Sequence, residues 1–409
     1  MVCGLLGEKL SHSYSPQIHS FLGQYPYALF ERTLEELESF LRSDSFHGLN
    51  VTIPYKKSAA ALCDELTPLA RELGSVNTIV KKPDGTLIGH NTDYFGFSYL
   101  LEFSKLRVAK KKVLVLGSGG SGVTAVSVLK NAGASVVVIS RTGENNYTNL
   151  NLHTDAAVIV NTTPVGMYPK NGVSPVDLNL FPNLEGVLDI IYNPARTKLL
   201  LDAEKRGLVA LNGLRMLVAQ AKESAEWFTN TKIDNCVIES IYRILKHQME
   251  NIVLIGMPGC GKSTIGQRLS EALGRKFTDA DNYVEELAGK SIPDIFAESG
   301  EDVFRTFETK ALKELGNQSS LVISTGGGCV TRPENYDLLH QNSTILWVQR
   351  DLTLLPTDGR PLSQQNALTE LYQVRRPMYE SFADNIIQND SDISTAIQEI
   401  ILKLNVEAN

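Results

Sequence analysis

The chain has 409 residues, 43% hydrophobic and 21% charged, a globular composition too long for one hydrophobic core, so two or three domains are expected and a single small module is excluded. A balance of 39 Lys and Arg against 46 Asp and Glu leaves a formal charge of -7 with no basic block, which argues against duplex nucleic acid and anionic membrane as partners. Five cysteines stand singly without CxxC spacing, no apolar run is long enough to cross a bilayer, and Met1 to Leu10 lacks a leader's charged start, so a reducing, cytoplasmic setting is expected.

In chain order, the first hundred residues offer polar clusters. Ser11-His-Ser-Tyr-Ser-Pro-Gln-Ile-His19 sets Ser13 and Ser15 two apart before a proline, and Asn50-Val-Thr-Ile-Pro-Tyr-Lys56 closes a strand-like run on a lysine. Ser75-Val-Asn-Thr78 and Asn91-Thr-Asp93 follow. Such groups can supply the proton donor and acceptor that hydride transfer at a carbinol needs, and short hydroxyl and amide side chains bind vicinal hydroxyls without charge. The plain alternative for Lys56 is a surface ion pair with Asp93.

Strand-like runs at Lys112 to Leu116, Ala134 to Ile139 and Ala157 to Val160 then alternate with glycine turns and helical patterns, the signature of an α/β fold with a parallel sheet and ligands at its strand ends. Gly117-Ser-Gly-Gly-Ser-Gly122 reads as GxGxxG between the first of these strands and a helix expected over Val123 to Lys130. Gly117 permits the tight turn, Gly119 lets backbone approach a pyrophosphate, and Gly122 allows close packing. Glycine turns of this kind also arise for packing alone. The next strand ends in Ser140-Arg141-Thr142, where a cofactor with a free ribose 2′-hydroxyl would want an acid, so a 2′-phosphate and hence NADP is expected. An ordinary solvated arginine is the alternative.

Val237, Ile238, Ile241, Ile244 and Leu245 share one face of an expected helix, after which a second strand, glycine loop and helix begin; a boundary is expected near residues 247 to 251. Gly256-Met-Pro-Gly-Cys-Gly-Lys-Ser263 follows the strand Ile252 to Ile255 and fits GxxxxGK[ST] in full. Gly256, Gly259 and Gly261 would present backbone amides to nucleotide phosphates together with Lys262, Ser263 and Thr264. Lys262 would neutralise the transferring group and Ser263 ligate magnesium. Asp279 and Asp281, at i and i+2 of extended chain, point the same way, so one can hold the metal while the other meets an acceptor hydroxyl. Phe304-Arg305-Thr-Phe-Glu308, Ser324-Thr-Gly-Gly-Gly328, Gly359-Arg-Pro361 and Arg375-Arg-Pro-Met-Tyr379 follow.

The motifs HSYSP, NVTIPYK, GSVNT, NTDYFGF, the first glycine loop, NTTPVGM and NGLRMLVAQA stand in the order and spacing of shikimate dehydrogenases, which residues 1 to about 245 resemble. The resemblance implies Lys56 and Asp93 as the catalytic pair, and Ser13, Ser15, Thr52, Asn77, Tyr192 and Gln220 as substrate contacts. For NADP it implies Gly119, Gly120, Arg141, Thr142, Thr162 and Gly213. It also implies a substrate domain over 1–102, completed by helices at about 214–247, and a Rossmann NADP-binding domain over 103–213. Three features depart from the family pattern: Ser20 and Ser140 replace asparagines, and the loop Gly143 to Tyr147 lacks a lysine.

Residues 250 to about 405 resemble shikimate kinase, implying a P-loop α/β/α domain with a parallel sheet over 250–409. By that resemblance Asp281, Arg305, Gly327, Gly328 and Arg375 bind shikimate, with the arginines facing its carboxylate. Asp279 and Ser263 support magnesium, Asp281 orients or deprotonates the attacking 3-hydroxyl, Glu308 fixes Arg305, and Arg360 closes over the phosphates. Arg376 stands as the alternative to Arg375. The segment before Gly359 is shorter than usual and lacks an extra arginine unless Arg350 serves. The expectation is an α/β enzyme that reduces 3-dehydroshikimate with NADPH and phosphorylates shikimate with Mg-ATP. Its alternatives are quinate in the first site, which the paired serines Ser13 and Ser15 disfavour, and a non-catalytic metabolite-sensing regulator. Against the regulator, Lys56, Asp93, Lys262, Ser263 and Asp281 are all present and no basic DNA-binding segment is.

Overall fold

Three sheets carry the described residues of the computed structural model, which are 1–10, 13–355 and 365–404. The chain divides into two compact units, one of residues 1–165, 174–192 and 202–245, the other of residues 166–173, 193–201 and 246–409.

In the first unit, six strands form a mixed sheet: β1 (Cys3–Gly7), β2 (Tyr27–Glu31), β3 (Gly48–Val51), β4 (Glu65–Leu66), β5 (Thr78–Lys81) and β6 (Leu87–His90), in the order β2-β1-β3-β5-β6-β4. β5 runs antiparallel to both neighbours while the other pairs are parallel. The apolar runs of β1 and β3 are buried along their whole length, as strands covered on both faces require. Lys56 opens the helix Lys56–Leu62 just past β3, and Asp93 opens the helix Asp93–Ser104 just past β6, so neighbouring regions of the sheet deliver both residues.

The second sheet of this unit is all parallel: β7 (Lys112–Leu116), β8 (Ser135–Ile139), β9 (Val158–Asn161), β10 (Gly186–Asp189) and β11 (Val209–Leu211), in the order β11-β10-β9-β7-β8. The order reverses between β7 and β9, the switch point beside which doubly wound sheets bind ligands. The glycine loop after β7 leaves from that point. Its helix spans Gly120–Asn131, three residues earlier than the apolar pattern alone predicts, because the loop glycines themselves form the first turn. The helix Leu214–Thr229 returns against the helix Asp93–Ser104. A Cβ on Gly96 would come within 2.7 Å of the Met216 carbonyl oxygen and 3.0 Å of the Gln220 Cβ, so a glycine there is what lets the two helices cross closely.

The second unit holds a five-stranded parallel sheet: β12 (Asn251–Ile255), β13 (Lys276–Asp279), β14 (Leu321–Ser324), β15 (Ser343–Gln349) and β16 (Asn385–Gln388), in the order β13-β14-β12-β15-β16. The core gathers around Val253, Leu254, Val322, Ile345 and Trp347. The helix Cys236–Met249 contains the last boundary between the units, at 245/246; on it Ile238, Ile241 and Leu245 are buried and Ile244 is exposed at the edge of the stripe. All five cysteines are free, and no helix among the described residues is long and apolar enough to cross a membrane.

Candidate active sites

Lys56 Nζ donates to Asp93 Oδ2 across 2.5 Å at the floor of a cleft of about 560 Å³. The side chains are only 22% and 12% exposed, so this is a recessed pair rather than the surface ion pair considered as its alternative. Asp93 is held on its other oxygen by Asn77 Nδ2 at 3.0 Å, and its N–H donates to Asn91 Oδ1 at 3.1 Å. Asn91 is anchored in turn by Ser75, through both the carbonyl and the hydroxyl. Ser13, Ser15, Thr52, Asn77, Tyr192 and Gln220 all line this cleft. Ser15 and Asn77 are buried, and burial with a neighbouring Tyr14 pushes the Tyr192 phenol up, so it stays a neutral hydrogen-bonding group.

The same cleft extends to Gly119, Gly120, Ser121 and Gly213. A Cβ on Gly119 or Gly120 would meet nothing within 4 Å, so the loop leaves an open cradle in front of the helix N-terminus. Gly117 takes φ +109°, where a side chain would be strained and would press on Thr162 Oγ1 at 2.8 Å. Gly122 lies directly against the Gly117 carbonyl. Thr162 donates its hydroxyl to the Leu116 carbonyl at 2.7 Å, which fixes the β7 end of the loop and removes Thr162 from the cleft lining. Arg141 and Thr142 are exposed beyond β8, outside that lining. The Gly117 N–H donates to the Ile139 carbonyl at 2.8 Å, so β8 ends beside the loop, two residues before Arg141. Ser20, one of the departures, is exposed and spends its hydroxyl on the Gln17 carbonyl.

In the second unit, Gly256, Gly259 and Gly261 hold φ values of +145°, +82° and +97° and wrap the loop around Lys262. That lysine is buried, and its ammonium donates to the carbonyls of Gly256 and Met257, each at 3.0 Å. Ser263 donates to Asp279 Oδ2 at 2.7 Å and lies 3.1 Å from Ser324 Oγ, while Thr264 is exposed on the helix. Asp279 also accepts from the Asp281 N–H at 3.0 Å, capping the helix Ala280–Ala288. Asp281 Oδ1 is enclosed and has no hydrogen-bond partner in the described structure. Burial, helped by the charge of Asp279, raises the Asp281 carboxyl above its ordinary value.

Arg305 faces Asp281 from the helical segment Ile292–Gly316, past its break at Gly300 (φ +80°), and is held by Glu308 at 2.8 Å and Glu301 at 2.9 Å. Glu308 is almost fully buried; desolvation raises its carboxyl despite the opposing charge of Arg305. The three glycines divide the space among these groups. A Cβ on Gly326 would lie 2.6 Å from Asp281 Oδ1 and 3.0 Å from Glu308 Oε1, one on Gly327 would strike Pro258, and one on Gly328 would strike the Arg305 guanidinium. Arg375 Nη1 donates to the Gly327 carbonyl at 3.1 Å, joined there by the Tyr379 hydroxyl. Arg376 points away, exposed and paired with Glu380 at 2.9 Å, so the geometry sets Arg375 and not its neighbour beside the glycines. Arg360 lies outside the described residues. Arg350 is half-buried at the end of β15, with its Nε enclosed.

Two family models match the chain, "Shikimate dehydrogenase substrate binding domain" over residues 5–79 and "Shikimate kinase" over residues 258–405. A shikimate dehydrogenase (NADP(+)) of Clostridium beijerinckii is 33% identical over 267 residues, covering 60% of this chain and 98% of its own length. A shikimate kinase of the same organism is 43% identical over 166 residues, covering 39% of this chain and 98% of its own length. The chain belongs to both families. A solved shikimate 5-dehydrogenase from Thermus thermophilus, in complex with NADP(H) and shikimate, superposes with a TM-score of 0.55 at 30% identity and covers 60% of this chain and 99% of its own.

In the dehydrogenase part, sequence reasoning left out Asn91 and Ser75 as the anchors of Asp93, although both lay inside motifs already singled out. In the kinase part it left out Gly326, Glu301, Ser324 and Tyr379. The triple glycine was the available signal for Gly326, but which of the three faces a carboxylate depends on a turn that sequence spacing does not specify.

Proposed function

We propose that the chain carries two consecutive reactions: NADPH-dependent reduction of 3-dehydroshikimate to shikimate in the first unit, and Mg-ATP-dependent phosphorylation of shikimate at its 3-hydroxyl in the second. The observation that carries the reading is that each glycine loop opens beside its own acid/base group, Lys56 with Asp93 in one case and Asp281 in the other. The domain partition that goes with it is 1–102 completed by 214–247, then 103–213, then 250–409.

In the first site the nicotinamide supplies the hydride when bound; the open cradle at Gly119 and Gly120, with Arg141 and Thr142 alongside, suits a dinucleotide with a 2′-phosphate. Lys56 delivers a proton to the substrate oxygen as it gains charge, and Asp93 holds the lysine and balances it. Acid/base help of this kind contributes roughly 10² to 10⁴ in rate. Ser13, Ser15, Thr52, Asn77, Tyr192 and Gln220 hold the acid by directed hydrogen bonds.

In the second site Ser263 and Asp279 supply a hydroxyl and a carboxylate oxygen side by side, a hard donor pair suited to magnesium, which supplies charge neutralisation on the phosphates when bound. Lys262 neutralises the transferring group, Arg305 and Arg375 hold the shikimate carboxylate, and Asp281 orients the 3-hydroxyl and takes its proton. Two spectrophotometric assays on the purified chain test the proposal: NADPH loss with 3-dehydroshikimate, and ADP release with shikimate. Turnover in both supports it. Silence in either assay, with the protein folded, removes that half.

A further inference from the structure

Ser224 lies wholly buried on the helix Leu214–Thr229, behind the first cleft and out of reach of any substrate in it. Its hydroxyl is nevertheless the meeting point of four elements. Asn50 Nδ2 from β3 donates to it at 2.7 Å, Thr78 Oγ1 from β5 lies at 2.8 Å, Thr92 Oγ1 before the helix Asp93–Ser104 lies at 3.0 Å, and Ser224 itself donates to the Gln220 carbonyl at 2.9 Å.

Counting protons narrows this cluster to a few arrangements. A hydroxyl has one hydrogen and two acceptor positions. The hydrogen of Ser224 goes to Gln220, and one acceptor position is taken by Asn50, so a single threonine can donate into the other. If Thr92 donates there, its own oxygen is free to accept from Asn77 Nδ2 at 3.0 Å, and Thr78 donates to Asn77 Oδ1 at 3.2 Å. Asn77 Oδ1 also accepts from the Thr92 N–H at 2.7 Å, and the second hydrogen of Asn77 Nδ2 reaches Asp93 Oδ1 at 3.0 Å. In this arrangement every buried group named is satisfied, and the amide of Asn77 has one orientation, with its nitrogen on Asp93. The other carboxylate oxygen is thereby turned to Lys56.

We propose that Ser224 is a positioning residue of the dehydrogenase site, acting through Thr92 and Asn77 to hold Asp93 and Lys56 in register. This rests on the dehydrogenase reading above and deepens it. Without the Ser224 oxygen, the Thr92 hydroxyl turns its proton to Asn77 Oδ1, Gln220 Oε1 or Thr78 Oγ1 and leaves the place where it accepts from Asn77 Nδ2, so the amide, still held in the same sense by the Thr92 N–H, shifts and carries Asp93 with it. A misplacement on the scale of 1 Å at a reacting pair costs about 10²-fold in rate.

The test uses the full chain with Ser224→Ala and the near-isosteric Ser224→Cys, whose thiol is a weak donor and acceptor; at least the latter should fold. Steady-state NADPH oxidation with 3-dehydroshikimate and a melting temperature are measured for each. The expected result is a kcat lowered about 10- to 100-fold, with KM for 3-dehydroshikimate and NADPH within about twofold of the parent. A purely structural serine would shift the melting temperature and leave kcat per folded molecule unchanged, and that result overturns the proposal. So does a rise in KM with kcat intact, which would make the residue a route to substrate contact through Gln220. An unsubstituted chain that fails to oxidise NADPH refutes the dehydrogenase reading itself, a distinct outcome read from the same plate.

Discussion

Replacing Gly328 by alanine isolates one guanidinium. Gly328 has φ -104° and ψ 2°, which alanine can adopt, so the substitution brings no left-handed strain. The added methyl is aimed at Arg305, and the three atoms nearest to it are Nη2, Nη1 and Cζ. To reach van der Waals distance the guanidinium must retreat by about 1 Å, away from positions fixed by Glu308 at 2.8 Å and Glu301 at 2.9 Å. A charge-assisted hydrogen bond to a substrate carboxylate is worth about 1.5–3 kcal/mol. Its loss raises KM for shikimate about 10- to 100-fold, at 1.4 kcal/mol per decade. Since Asp281, Lys262 and Ser263 are untouched, kcat at saturating shikimate should stay within about threefold and KM for ATP should not move. Gly326→Ala is the matched comparison, because its methyl meets Asp281 Oδ1 and Glu308 Oε1 and should depress kcat instead. ADP release measured over a range of shikimate concentrations separates the two. A folded Gly328→Ala chain with an unchanged KM for shikimate would show that Arg305 does not hold the carboxylate.

Lys56→Ala should lower NADPH oxidation by roughly 10²- to 10⁴-fold and leave phosphorylation of added shikimate intact; loss of both activities would contradict separate sites. Lys262→Ala and Asp281→Asn should do the reverse, and normal kinase turnover in either would remove that assignment. Glu226 gives a pH test: burial opposes its charge, but the Ile233 N–H and Lys222 outweigh burial and hold the carboxyl below its ordinary 4.5. Its contribution is therefore complete above that value and is lost as pH falls through the lower folded value. Glu226→Gln should reduce the melting temperature at pH 7 and converge on the parent as pH falls below 4.5, and parallel curves at all pH values would refute this.

What the sequence could disclose followed from local chemistry. The two glycine loops were legible because a phosphate-binding turn needs glycine at fixed offsets, and the φ values at Gly117, Gly256, Gly259 and Gly261 are the reason. The helix after the first loop was placed three residues late, since apolar periodicity cannot see a first turn made of glycines. Arg375 and Arg376 could not be told apart by spacing. Neighbours on a helix point about 100° apart, and only the position of the Gly327 carbonyl decides which one is buried. Ser224 carried no signal at all: a serine four residues after Gln220 on a helix reads as a neutral filler, and its role arises from Asn50, Thr78 and Thr92, which are remote in sequence.

The two sites would hold the same small acid by opposite means, and the charges around each account for it. In the first, Ser13, Ser15, Thr52, Asn77, Tyr192 and Gln220 bring hydroxyls, amides and a neutral phenol, and of the two lysines in the lining, Lys56 and Lys57, the first is paired to Asp93. In the second, the carboxylate must sit near a nucleotide's phosphates and near Asp279, Asp281 and Glu308, a field of like charge that neutral hydrogen bonds could not offset. On the proposed roles, Arg305 and Arg375 would answer that field. Arg305 is itself balanced by Glu308 and Glu301, so when its partner glycine is changed the first consequence is a weakened grip on the acid rather than a collapse of the fold. On the proposed roles, the chain would recognise one ligand twice without shared recognition chemistry, each site being fitted to the charge of the reaction beside it.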